Sequence, residues 1–400
     1  MDLVSLDEVN DAAERLVGVV QVTPIESSRT MSSISGGQVL LKCEHLQRTG
    51  SFKLRGAYSM IDRLSDAERA RGVVCASAGN HAQGVALSAQ LVGCPATVFM
   101  PERAPLPKVA ATRAYGAQVR LEGHSFDDAY AASVAYADES GATYVHPFDH
   151  RDVIAGQGSL GREILDQVPD VGTVVVPIGG GGLAAGVASA IKLVRPDVGV
   201  IGVQAAGAAA FPASLAAGRP KPIDSASTLA DGIAVKRPGD LTLAHVAARV
   251  DEVVTVTDEA IARAVLLLVE RAKQVVEPAG AAGLAAVLER AIALRPPVVA
   301  VLCGGNVDPL LLQRIMQSGM FEEGRYFALR TRLQDRPGAL SALLALVADL
   351  GANILAVGHH RMRTRLGVLE VEVELEVETR GPDHISELVE TLSGRGYPVS

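Results

Sequence analysis

No stretch of this 400-residue chain is apolar for long enough to cross a bilayer. The longest runs, such as RPPVVAVLCGG, fall well short of the roughly 20 residues that a spanning helix needs. No block of Lys or Arg interrupts a composition with net charge −8, which argues against nucleic acid and acidic membranes as partners. The opening MDLVSLDEVN is acidic and short of an apolar core, so no signal segment is expected. Cysteine is scarce: Cys43, Cys75, Cys94 and Cys303 lie far apart without metal-ligand spacing, and reduced thiols in a cytoplasmic enzyme account for them. Solenoid repeats and low-complexity tracts are absent. What remains is a composition 48% hydrophobic with 40 glycines. That fits a packed α/β protein of roughly two to three domains.

From residue 73 to 306 short β-rich runs (GVVCAS, ATVFMP, AQVRLE, TVVVPI, VGVIGVQ, PVVAVLC) alternate with alanine-rich amphipathic stretches such as HAQGVALSAQL and LAAGVASAIKLV. This order implies a mostly parallel sheet covered by helices. MQSGMFEEGR, residues 316–325, breaks the pattern and reads as a linker. A different grammar follows. YFALRTRL is a strand, DRPGALSALLALVADLG a turn and helix, and ANILAVGHHRM a strand. GVLEVEVELEVET alternates strongly as a strand, HISELVETLSGRG is a helix, and YPVS a last short strand. The βαββαβ order predicts a compact ferredoxin-like module.

In QRTGSFKLRGAY, Leu54, Ala57, Ile61 and Leu64 recur at helical spacing, with Thr49, Gly50 and Ser51 as the start signal. Lys53 therefore falls at a helix N-terminus, where the dipole opposes a cation and burial disfavours the charge further. That suits an amine that must lose its proton to form a Schiff base. The alternative is a solvated lysine on an amphipathic helix.

TVVVPIGGGGLAAG is a strand, four glycines (Gly179, Gly180, Gly181, Gly182) and a helix. The glycines allow close backbone approach and the helix start offers free N–H groups, so a phosphate is the natural guest. No Gly-Lys-Ser/Thr follows, and no acid ends the next strand to hold a ribose, so a single phosphate ester on a small cofactor fits better than a nucleotide. A tight strand-to-helix turn is the structural alternative. VVCASAGNHAQG repeats the device through Ser77, Ala78, Gly79 and Asn80, as an anion site or an ordinary helix cap. VVAVLCGGNV ends a strand at Cys303, where the carboxyl ends of parallel strands border a ligand crevice; Cys303 also suits a packed small hydrophobe.

Taken together, TGSFKLRGA, SAGNHAQGVA, HPFD with IAGQGSLGREI, PIGGGGLAAG, VVEPAGAAG and LCGGNVD resemble, in order, the motifs of threonine/serine ammonia-lyases among the fold-type II pyridoxal-phosphate enzymes. The resemblance covers residues 6–317, and DRPGAL followed by GANI is similar to an ACT regulatory domain. It implies two parallel α/β subdomains in a catalytic domain of residues 1–318, the smaller inserted near 49–148, and an ACT domain over 326–400.

By the same resemblance, Lys53 would hold pyridoxal 5'-phosphate as a Schiff base, with Phe52 beside the ring and Asn80 on the ring hydroxyl. Gly179, Gly180, Gly181, Gly182 and Leu183 would cradle the phosphate, and Glu277 would lie near the cofactor. Cys303 would contact the pyridine nitrogen, where relatives usually carry serine. Ser77, Gly79 and His81 would line the substrate carboxylate site. The implied reaction is β-elimination of L-threonine to 2-oxobutanoate and ammonia, with L-serine to pyruvate beside it, in isoleucine biosynthesis or threonine catabolism. The rival readings are a serine ammonia-lyase, a β-replacement enzyme or threonine synthase, a ligand sensor on a degenerate scaffold, and a nucleotide-dependent oxidoreductase. Asp335, Gly338 and Asn353 are candidate contacts for a branched-chain amino-acid effector; alternatively, the module only dimerises through its alternating strand. A homo-oligomer, dimer or tetramer, is implied. Where related serine racemases carry metal-binding carboxylates, VQAAGAAAF has none, so no divalent metal site is expected. Where those racemases carry a serine before the Gly-Asn, this chain has Ala78, so little racemisation is expected.

Overall fold

The computed structural model describes residues 2–291, 293–361 and 367–400. The chain divides into two compact units, Met1–Asp308 and Pro309–Ser400. The strands of the first unit, in chain order, are β1 (Ile25–Ser27), β2 (Val39–Lys42), β3 (Val73–Ala76), β4 (Ala96–Met100) and β5 (Gln118–Leu121), then β6 (Thr143–Tyr144), β7 (Thr173–Pro177), β8 (Gly199–Ala205), β9 (Glu252–Val256) and β10 (Val298–Val301). They form two sheets. The larger runs β1-β2-β10-β7-β8-β9 and the smaller β5-β4-β3-β6. Only β1 joins antiparallel; every other pairing is parallel. Central strands β3, β4, β7 and β10 are buried along their whole length. They are therefore continuous apolar runs rather than alternating ones, as a sheet covered on both faces requires.

Close helix packing around the larger sheet depends on glycine. The helix Arg151–Gln167 carries Gly156, Gly158 and Gly161. A Cβ at Gly156 would lie 2.5 Å from Arg55 O, and one at Gly161 would lie 2.8 Å from Val187 O. Backbone thus meets backbone on two sides of this helix, against the helices Lys53–Ile61 and Gly182–Val194.

The second unit begins with the helix Pro309–Glu322. This corrects the reading of residues 316–325 as a linker. Its Gly319 is buried one turn from buried Ile315, so the residue that looks like a break is a packing position. There follow β11 (Tyr326–Gln334), the helix Ala339–Asp349, β12 (Asn353–His360), β13 (Glu370–Glu378) and the helix Pro382–Gly394. The sheet is antiparallel, in the order β11-β13-β12. The alternation is plain in β13, where Val371, Val373, Leu375 and Val377 are buried in the core of this unit while Glu370, Glu372, Glu374, Glu376 and Glu378 lie on the other face. The expected last strand is reduced to one reciprocal pair, Arg330 N to Ser400 O at 3.0 Å and Ser400 N to Arg330 O at 2.9 Å. Met362, which ended the sequence reading of β12, lies outside the described residues. Among the described residues no helix is long and apolar enough to cross a membrane.

Candidate active site

Lys53 is the first residue of its helix, and Phe52 is the N-cap, without a side-chain cap. Ser51, expected as part of the start signal, instead pairs with Gly304 across an isolated bridge. Phe52 N donates to Cys303 O (3.2 Å) and Gly305 N to Gly50 O (2.8 Å). The lysine-bearing turn is therefore strapped to the segment that leaves β10. Gly50 has φ +70, and a Cβ there would lie 2.5 Å from Asn306 Oδ1, so only glycine fits. Lys53 Nζ donates to Pro147 O at 2.9 Å and stands 5.1 Å from the Phe52 ring centroid. Burial lowers its pKa to about 8 from 10.5, against the pull of Cys303 and Glu277. Roughly a tenth of the amine is then neutral at pH 7, far more than for an ordinary lysine, and a nucleophilic amine needs that form.

Around Lys53 the helix starts are bare. The helices Asn80–Val92, Gly182–Val194 and Pro278–Leu288 have Gly79, Gly181 and Glu277 as N-caps, none with a side-chain cap bond. Full capping boxes occur at Ser5, Ser65 and Ser125, while the helices Leu106–Ala114 and Asp240–Arg249 also start without a side-chain cap. Uncapped N–H groups at a helix start form an anion site. At the glycine run, a Cβ on Gly180 would lie 2.3 Å from the Phe148 ring and one on Gly182 would lie 2.9 Å from Phe148 Cα. Gly181 has φ +98, with Phe211 and Thr242 against it. Thr242 Oγ1 donates to Gly180 O at 2.7 Å, and the Asp149 carboxylate accepts from Asp240 N (3.0 Å) and Thr242 N (2.9 Å). The run's carbonyl is thus held from behind. Leu183 is buried in the core, so only its backbone faces a ligand.

Asn80 Nδ2 donates to Glu277 Oε1 at 2.7 Å, and Asn80 Oδ1 accepts from Asn306 Nδ2 at 2.8 Å. Burial raises the Glu277 pKa to about 7, with nearby Asp231 adding to it. Cys303 is buried in the core; its thiol is pushed well up by burial and makes one weak contact, to Ala279 O at 3.8 Å. Ser77 Oγ accepts from Gly79 N at 3.1 Å, and the space beside Gly79 is open. His81 turns inward: its ring nitrogen bonds Val145 O at 2.9 Å, and burial lowers its pKa to about 3. The structure therefore brings Lys53, Asn80, Glu277 and Cys303 together, and puts Ser77 and Gly79 on one loop, while the His81 ring is engaged in the protein interior. Residues that spacing did not single out are His146, Phe148, Asp149, Thr242 and Asn306. HPFD and LCGGNVD contain four of them, but Thr242 had no sequence signal.

In the second unit, Asp335 accepts from Arg361 at 2.8 and 3.2 Å, and Gly338 is the N-cap of its helix at φ +84. Asn353 lies elsewhere. It pairs with Glu378 in register, whereas Asp335 N bonds Leu369 O beside Glu370. Eight residues of strand separate the two ends, about 26 Å at ~3.3 Å per residue. Within one chain these three residues do not form a single small-molecule site.

The profile of the family described as pyridoxal-phosphate dependent enzyme matches residues 17–304, and that of the ACT domain matches residues 327–394. The L-threonine ammonia-lyase of Thermotoga maritima is 49% identical over 397 residues, 99% of each chain. The crystal structure of a threonine deaminase from T.th. superposes with TM-score 0.73 at 42% identity, covering 76% of this chain and 99% of that one. The structure of maize serine racemase does so with TM-score 0.75 at 36% identity, covering 81% and 100%.

Proposed function

Because the chain belongs to the pyridoxal-phosphate dependent enzymes and carries an ACT domain, we propose that it converts L-threonine to 2-oxobutanoate and ammonia, by elimination of water that the later hydrolysis returns, with L-serine as a second substrate yielding pyruvate. The observation that carries this reading is Lys53, an amine of lowered pKa at a bare helix start whose Nζ bonds Pro147 O, next in the chain to the Phe148 that packs on the glycine run. The residues fit the cofactor. Gly180 and Gly182 leave no room for a side chain, so their backbone is what a phosphate meets, at the start of the helix Gly182–Val194. Asn80 keeps one N–H without a protein partner among the described residues, available to the ring oxygen. Cys303, a protonated thiol, would meet the ring nitrogen without imposing a charge.

Pyridoxal phosphate, when bound, supplies the electron sink for the pair left as Cα loses its proton. Lys53 Nζ would hold the cofactor at rest; once the substrate's amine has displaced it, the freed Lys53 amine would take that proton. Ser77, Gly79 and the start of the helix Asn80–Val92 hold the substrate carboxylate and so orient the Cα–H bond toward Lys53. The β-hydroxyl leaves as water, and the released enamine tautomerises and hydrolyses to the 2-oxo acid and ammonia. The likeness to a serine racemase brings in a second reading, but Ala78 offers no proton on the opposite face of Cα. An amino-acid effector at the ACT unit, a homo-oligomeric assembly and a cytoplasmic location complete the proposal; the four free, buried cysteines support the last.

The test is incubation of purified holoenzyme with L-threonine alone. Ammonia and 2-oxobutanoate should appear in equal amounts, and Lys53→Ala should lose at least about a thousandfold in rate. Turnover that needs a second substrate, or D-serine as the main product from L-serine, would reject the reading.

A further inference from the structure

Resting on the cofactor reading above, the geometry points to Asn306 as a positioning residue that fixes the orientation of the Asn80 amide toward the cofactor. Amide oxygen and nitrogen are nearly equal in size, so an asparagine points according to what surrounds it. Among the described residues the Asn80 side chain has two protein partners. One is Glu277, at 2.7 Å from Nδ2. A carboxyl group accepts when ionised and also donates when protonated, and with a pKa of about 7 Glu277 populates both forms near neutral pH. Glu277 alone therefore leaves Asn80 free to present either end.

Asn306 removes that freedom. Its Nδ2 lies 2.8 Å from Thr49 O, a backbone carbonyl that only accepts. The amide nitrogen is thereby forced to this side, and its second hydrogen reaches Asn80 Oδ1 at 2.8 Å. Asn80 must then turn Nδ2 toward Glu277 and keep its remaining N–H for the ligand. The relay runs from a fixed carbonyl through two amides. The same Asn306 nitrogen continues the strap that Phe52–Cys303 and Gly305–Gly50 begin, so the group orienting Asn80 also anchors the turn carrying Lys53. Gly50 makes room for it, since any Cβ there would strike the Asn306 amide.

Asn306→Asp tests this, because a carboxylate offers no donor to Thr49 O and asks Asn80 for its N–H, reversing the relay. Apoprotein is titrated with pyridoxal phosphate, and affinity, the visible band of the bound cofactor and Tm are recorded. Expected are at least about tenfold weaker binding, the worth of one lost charge-assisted hydrogen bond, and a displaced visible band. Should that variant fail to fold, Asn306→Ala gives the same readouts, with affinity loss and band displacement expected again. Affinity within twofold of the parent and an unmoved band would overturn the assignment even if Tm falls, since Asn306 would then only brace the turn. A parent apoprotein that binds no pyridoxal phosphate would overturn the reading of the site itself, and this inference with it.

Discussion

At the scale of single residues, burial drives the pKa values of groups in the site and behind it in opposite directions. Glu277 is raised from 4.5 to about 7, while His81 and His146 are lowered from 6.5 to about 3 and about 4, all chiefly by burial. Their effects on stability have opposite signs. Glu277 binds its proton more tightly folded than unfolded, so its contribution is full below 4.5 and is lost as pH rises through 7. The histidines bind protons less tightly folded, so theirs is full above 6.5 and is lost as pH falls through 4 and 3. Between pH 5 and 7 Glu277 therefore offsets part of the gain from the histidines. In the apoprotein, Glu277→Gln should make stability rise more steeply with pH, gaining on the parent by on the order of 2 kcal/mol over that interval. Urea unfolding at pH 5, 6 and 7 measures it. Parallel profiles for variant and parent would show that Glu277 titrates at its ordinary value. The resemblance places Glu277 of VVEPAG near the cofactor, but its raised pKa was not legible in the sequence. Its partner Asn80, and Asn306 which bonds Asn80 in turn, are distant in the chain, and pairings at such separation leave no periodic trace.

At the scale of elements, the glycines separate into two uses that the sequence presents alike. Those of PIGGGG were legible because four occur together after a strand. Those of IAGQGSLG sit inside a helix, where glycine is unfavourable by about 1 kcal/mol relative to alanine unless packing requires it. Packing does require it: a Cβ on Gly156 would meet Arg55 O and Ser59 Oγ, both at 2.5 Å. Arg55 itself is buried, paired with Glu44 at 2.7 Å and Glu163 at 2.7 Å, so the helix Lys53–Ile61 has little room to retreat. Gly156→Ala should therefore destabilise the protein by about 1–3 kcal/mol despite its better helix propensity. The displaced helix should also weaken cofactor binding, through Lys53. Denaturant unfolding together with a cofactor titration checks both; a stabilised variant would mean that the two helices are less tightly apposed. The main strands were legible as apolar runs, whereas β1, β2, β6 and β9 have only two to five residues and carry no distinct signal.

At the scale of the molecule, the break between units falls earlier than the change in sequence pattern indicates. The alternation of β11 and β13 is conspicuous and sets the apparent start of the second unit near residue 326, with MQSGMFEEGR before it as a spacer. Physically most of that spacer is the second half of the helix Pro309–Glu322, which belongs to the second unit. Gly324, at φ +66, follows it, and Thr379 Oγ1 donates to Gly324 O at 2.5 Å, so the helix leads directly into the sheet it accompanies. The family profile of the catalytic part ends at residue 304, before this helix. Two truncations therefore differ. A chain ending at Asp308 removes the second unit whole and should retain catalysis of L-threonine while losing any response to isoleucine or valine. A chain ending at Ser318 leaves ten residues of an amphipathic helix deprived of their own sheet. Buried Ile315 is then exposed, and this chain should aggregate more readily, as exposed apolar surface does. Light scattering on heating, with 2-oxobutanoate assays of both truncations, decides the boundary. If the chain ending at Ser318 proves the better behaved, the helix serves the catalytic unit instead.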